Sequence, residues 1–149
     1  MKAKRNARVA AVQVIFQYYF SRSNIKKIIY DYKTLNDDLY EEKLNKFDEK
    51  LFEKIIFGVC QNEEEIKLII AKQLSQEWPL ERVDNTMTAI LSLGVYELSF
   101  CTETPHKVII DEYVSISGLF FNKKNIGFVN GLLDNFSKVV RSNERNWTN

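Results

Sequence analysis

Two prolines and five glycines are the only strong punctuation in 149 residues, while apolar side chains recur three and four positions apart. A stripe with that period faces one way only when the chain is wound as an α-helix. Residues 4–20 set Ala11, Val12, Ile15, Phe16 and Tyr19 along one side of a first helix. Ser23 or Asn24 can cap a second, carrying Ile25, Ile28, Ile29 and Tyr32, and Leu39, Leu44 and Phe47 anchor the acidic stretch after it. Asp48 reads as an N-cap for Leu51, Phe52, Ile55, Ile56, Val59 and Cys60. Asn62 reads as the cap of the next helix. Its Glu63, Glu64 and Glu65 suit the positive end of the helix dipole, and its buried edge is Ile66, Ile69, Ile70 and Leu74. Pro79 fits the first position of a helix reaching about Phe100, with Val83, Met87, Ile90, Leu91 and Leu98 inward.

Pro105 cannot sit inside a helix and so starts one, with Val108, Ile109, Glu112 and Ile116 at helical spacing. A last stripe runs from Val129 through Leu132, Leu133, Phe136 and Val140. Between these two helices, Gly118, Asn122, Lys123, Lys124, Asn125 and Gly127 read as a basic, flexible elbow over residues 118–127. Inside a helix, glycine costs roughly 1 kcal/mol relative to alanine, so Gly58 and Gly94 are expected to mark close helix approaches. Gly131, beside Asn130, is expected to do the same for a helix or for a bound ligand. The reading is all-α, helices joined by short loops.

A chain of this size suits a single domain, residues 1–149, able to bury roughly 68–70% of its unfolded surface. It has no apolar run of about 18 residues that could span a membrane. The basic N-terminus is followed by an apolar segment broken at Gln13 and Gln17, which does not read as a signal peptide, so a cytoplasmic location is expected. Cys60 and Cys101 lack metal-type spacing and are expected to be reduced thiols. Asn146-Trp147-Thr148 is then a chance glycosylation match.

The net charge of +1 conceals an asymmetry. Residues 1–33 hold eight cations against Asp31 alone, and residues 37–65 hold ten acids against four lysines. From residue 122 onward the balance is basic again. Basic ends around an acidic middle suggest a polyanion on one face and a cationic partner elsewhere.

Catalytic chemistry has no foothold in this pattern. His106, the only histidine, stands beside a proline at a helix start and is expected to be exposed without an orienting partner. No Gly-rich phosphate loop, Cys/His metal set or nucleophile–base pair is present. Glu63–Glu65 are explained as a helix start rather than a metal site. Asp111 and Glu112 are adjacent, so on a helix they point about 100° apart and do not face each other. A non-enzyme without cofactor or metal is expected.

Three blocks resemble the NusB transcription antitermination family. Lys4-Arg5-x-Ala7-Arg8-x-x-Ala11-Val12-Gln13 is similar to its Arg-rich opening, with Asn6 where many relatives are basic. Trp78-x-Leu80-x-Arg82, then Leu91, Gly94, Tyr96, Glu97 and Leu98, resembles its middle, with Ser92 replacing a frequent Arg. Pro105, Val108, Ile110, Asp111 and Glu112, followed by Phe128-Val129-Asn130-Gly131 and Leu133-Asp134, resembles its C-terminal half, with Asp111 replacing the commoner Asn.

The resemblance implies a NusB-like fold of two small helical bundles, about seven helices. It also implies binding of boxA-like single-stranded RNA together with the ribosomal protein NusE, in the RNA polymerase antitermination complex that keeps rRNA transcription processive. Lys4, Arg5, Arg8, Lys123 and Lys124 are the candidate phosphate ligands, and Phe128 offers a stacking face. The two elbow lysines are unusual for the family. Two other uses remain open: an RNA-recognition module acting in trans for rRNA methylation, and a homodimeric helical interaction protein.

Overall fold

The computed structural model describes residues 2–35, 47–74 and 79–143. Among them are seven α-helices and no strand: α1 (Lys2–Ser21), α2 (Ile25–Leu35), α3 (Glu49–Gln61), α4 (Glu63–Gln73), α5 (Asn85–Phe100), α6 (His106–Ser117) and α7 (Lys123–Val140). Leu39, Leu44, Trp78 and the Asn146-Trp147-Thr148 sequon lie outside the described residues.

Helix α5 organises the rest. Every residue from Met87 to Leu98 is buried, as expected of a helix with neighbours on all sides. It meets α1, α3 and α4 as well as α6 and α7; α1 also packs on α3, and α6 on α7. Two small helical groups therefore share α5. Their apolar side chains join in one core, with Ile15, Phe52, Ile55, Leu91, Leu98, Ile109 and Tyr113 among its fully enclosed members.

The two internal glycines mark close approaches. A Cβ on Gly94 would lie 2.9 Å from both methyls of Leu133, which brings α7 against α5, and Gly58 faces Tyr96 in the same way. Gly131 marks no approach of a second helix, because a Cβ there would meet nothing within 4 Å.

Local chemistry sets the helix boundaries. Asn24, not Ser23, caps α2, accepting from the Lys26 and Lys27 amides at 2.9 and 3.3 Å. Asp48 caps α3 by accepting from Leu51 N at 2.9 Å, and Phe47 anchors this entry with its ring 5.2 Å from that of Phe52. Asn62 holds the N-cap position of α4 as expected, but without a side-chain cap bond. Its side chain donates to the Gly58 carbonyl at 2.8 Å, closing α3 rather than capping α4. Pro79 leads only into a 3-10 turn, Leu80–Arg82, and α5 starts later, where Asp84 accepts from the Thr86 and Met87 amides.

The elbow is also shorter than expected. Asn122 accepts from Asn125 N at 3.3 Å, so Lys123, Lys124, Asn125 and Gly127 belong to the first turns of α7 and the loop is confined to residues 118–122. At the far end of α7, the Arg141 guanidinium donates to the Leu98, Cys101 and Thr104 carbonyls at 2.7, 2.9 and 3.0 Å. The Leu98 carbonyl is one that the end of α5 leaves without a helical partner, the other two belong to the turn that follows, and Arg141 thereby locks the α5–α6 corner to α7.

Candidate nucleic-acid interface

Both α1 and α7 begin with cations and carry no acid in their first turn. Positive charge at the positive end of a helix dipole is mildly unfavourable, by a few tenths of a kcal/mol per side chain, so helix stability does not explain the arrangement. What it produces is a concentration of positive charge at the end of each helix that the backbone dipole already makes attractive to anions.

At the start of α1, Lys4 and Arg5 are exposed. Arg8 is not, and it corrects the expectation of a free cation there: the residue is 3% exposed. Its Nε and Nη2 donate to the two oxygens of Glu97 at 2.8 and 2.9 Å, and its Nη1 to Glu112 Oε1 at 3.3 Å. Burial on its own would make this guanidinium easier to deprotonate. The Glu97 contact outweighs that, and Arg8 stays charged at any working pH.

Tyr113 completes the cluster by donating its hydroxyl to Glu97, and its own ionisation is pushed well up, chiefly by burial. A planar fork on a carboxylate is the geometry in which a buried arginine is best satisfied. Arg5 reaches the same cluster from outside, with Nε 3.2 Å from Glu112 Oε2 and Nη2 on the same oxygen.

At the start of α7, Lys123 and Lys124 are exposed and have no acidic partner among the described residues. Phe128, one turn further, is 37% exposed. Lys124 and Phe128 share a groove of about 670 Å³ with Arg82, Val83, Met87 and Phe121 among its walls. Apolar side chains line it together with two cations, Arg82 and Lys124, and one acid, Asp84, whose carboxylate is engaged in capping α5, a mixture that suits flat aromatic bases joined by phosphates. The structure therefore brings Lys124 and Phe128 together. Neither Lys4 nor Arg5 lines that groove; Arg5 stands over α6, on Glu112, and α6 itself packs along α7.

Sequence reasoning overlooked Arg82 in this groove, and overlooked Glu97 and Glu112 as the seat of Arg8. A signal existed for the glutamates. Both carboxylates fall on otherwise apolar helical faces, and a charge in such a place requires a partner. Asp111 points outward and Glu112 inward, as their spacing required. Ser92 accepts the hydroxyl of Tyr19 at 2.9 Å, a neutral contact inside the core. His106, expected to be exposed, is buried at 3%. No group of three or more potential metal ligands occurs among the described residues. No described helix is long and apolar enough to cross a membrane.

The sequence model of the NusB family matches residues 5–138. The chain belongs to the NusB family. The transcription antitermination protein NusB of Caulobacter vibrioides is 36% identical over 137 residues, covering 91% of this chain and 92% of that protein. NusB of Mesorhizobium japonicum is 36% identical over 145 residues, covering 93% and 91%. Among solved structures, T. maritima NusB superposes with a TM-score of 0.78 at 27% identity, covering 98% of this chain and 99% of that one. A NusB in complex with NusE and double-stranded RNA shares the fold, with a TM-score of 0.74 at 24% identity over 93% of this chain and 98% of that one. The all-α, two-bundle architecture is thus the NusB fold.

Proposed function

We propose that this chain is a transcription antitermination factor that captures boxA-like single-stranded RNA together with NusE. Acting in the cytoplasm as one RNA-binding domain within the RNA polymerase antitermination complex, it would keep rRNA transcription processive. The observation that carries this reading is the start of α7, where Lys123 and Lys124 are exposed and without acidic partners beside the exposed ring of Phe128. Phosphates supply the attraction and unstacked bases lie on the ring. Lys4 and Arg5 add a second basic contact at the start of α1, apart from the α7 groove, while Arg8 serves by holding α1 in place. Membership of a family whose relatives are named as antitermination proteins supports the same role.

A fluorescence anisotropy titration of labelled boxA-like RNA tests this, with the protein alone, NusE alone and the two mixed. Tighter binding by the mixture than by either component is expected. RNA affinity of the mixture equal to that of NusE alone would overturn the reading.

A further inference from the structure

Arg5 differs from the other exposed cations of the surface in how it is held. Glu112, almost wholly buried on α6, divides its carboxylate: Oε1 accepts from Arg8 Nη1 at 3.3 Å and Oε2 takes both Nε and Nη2 of Arg5. Arg8 is fixed in turn by Glu97. The chain of contacts Glu97–Arg8–Glu112–Arg5 therefore runs from the core to the surface. It ends at a guanidinium whose side chain is 46% exposed and whose Nη1 has no protein partner among the described residues. An exposed arginine ordinarily samples many rotamers, and a ligand that uses it must freeze them. Here the freezing is done in advance by a buried carboxylate. One edge of the planar fork is occupied and the other is left facing outward.

We propose that Glu112 is a positioning residue for RNA capture, aiming the free edge of Arg5 at a phosphate of the bound strand. This rests on the RNA-binding reading above. The contribution of Glu112 is opposite in sign to its charge. A carboxylate beneath a phosphate site repels the phosphate, so a purely electrostatic role makes its neutralisation strengthen RNA binding. Positioning makes the same change weaken binding, by roughly three- to tenfold, the range for one long side chain that must be ordered on association.

The test is Glu112→Gln, which keeps the shape and removes the charge, alone and combined with Arg5→Ala. Binding to a boxA-like single-stranded RNA is measured with NusE present. Glu112→Gln is expected to weaken RNA binding, and Arg5→Ala to cost roughly tenfold in the parent but far less in the Glu112→Gln background. Glu112→Gln that binds as well as the parent or better, or an Arg5→Ala loss of the same size in both backgrounds, overturns the positioning role while leaving RNA binding intact. Absence of RNA binding by the parent protein with NusE overturns both.

A second measurement needs no variant, should Glu112→Gln fold poorly. In the parent protein, the 15N heteronuclear NOE of Arg5 Nε is expected to match that of the α1 backbone. A value typical of a freely rotating arginine overturns the proposal.

Discussion

The ring of Tyr96 lies where a side chain on Gly58 would have to go: a Cβ there would sit 2.2 Å from ring atoms Cε1 and Cζ. That is well inside contact distance, and Tyr96 is buried against Phe100. Overpacking of this kind costs about 1–3 kcal/mol, more than the roughly 1 kcal/mol that alanine returns in helix propensity. Gly58→Ala is therefore expected to lower the urea midpoint without changing the slope.

Gly131 carries the opposite expectation. It is helical and exposed, with open space around it. Gly131→Ala should raise stability by about 0.4–1 kcal/mol, chiefly by restricting the unfolded chain. The same denaturation series reads both signs, so a wrong helix register would appear at once.

Arg8 is expected to matter for folding, not for phosphate contact. Removing one partner from a buried ion pair costs about 3–5 kcal/mol, because the other charge is left uncompensated. Arg8→Ala should show that loss in urea, with Glu97 and Tyr113 left facing a void. Arg8→Met combined with Glu97→Gln should recover a large part of it, since Glu97 is then neutral and Glu112 keeps Arg5 as its cation.

Acid should release a surface tie. Burial alone would raise the pKa of Glu63. The hydrogen bond from Arg22, followed by those from Lys67 and Tyr18, outweighs burial and holds it below its ordinary value of 4.5. A depressed carboxylate stabilises the fold at pH values above its unfolded pKa, and the gain disappears as pH falls through the lower folded value. The thermal midpoint of the parent protein should exceed that of Glu63→Gln at neutral pH, and the gap should close with acidification. Arg22 itself stands in the left-handed region, with φ 57°, and its pairing with Glu63 and its place over the Tyr18 ring offset that strain. A gap independent of pH would assign the stabilisation to packing instead.

The helices were legible because their apolar stripes are long and periodic, and Asp48 was legible because its cap is a local interaction. Gly58 and Gly94 were legible because a costly residue inside a helix asks for a neighbour. The start of α7 was not. Gly127 and two asparagines within a few residues lower helix propensity there, yet the Asn122 cap and the burial of Val129 and Leu132 carry the helix back to Lys123. Arg8 was misread because a cation near a terminus looks solvated until its long-range partners are known. Glu97 and Glu112 lie 89 and 104 positions away in the chain. Burial of His106 likewise depends on how α6 packs, which no local pattern contains.

The most direct test of the RNA-binding surface is the salt dependence of boxA-like RNA binding, with NusE present, from about 50 to about 200 mM salt. Each lost phosphate contact should flatten the log–log slope by about 0.7, so Lys123→Ala with Lys124→Ala should flatten it by up to about 1.4. Phe128→Ala should weaken affinity by roughly 1–3 kcal/mol with the slope unchanged, since stacking releases no counterions. Parent-like affinity and slope in both the lysine pair variant and Phe128→Ala would contradict the assignment of the α7 start as the RNA surface.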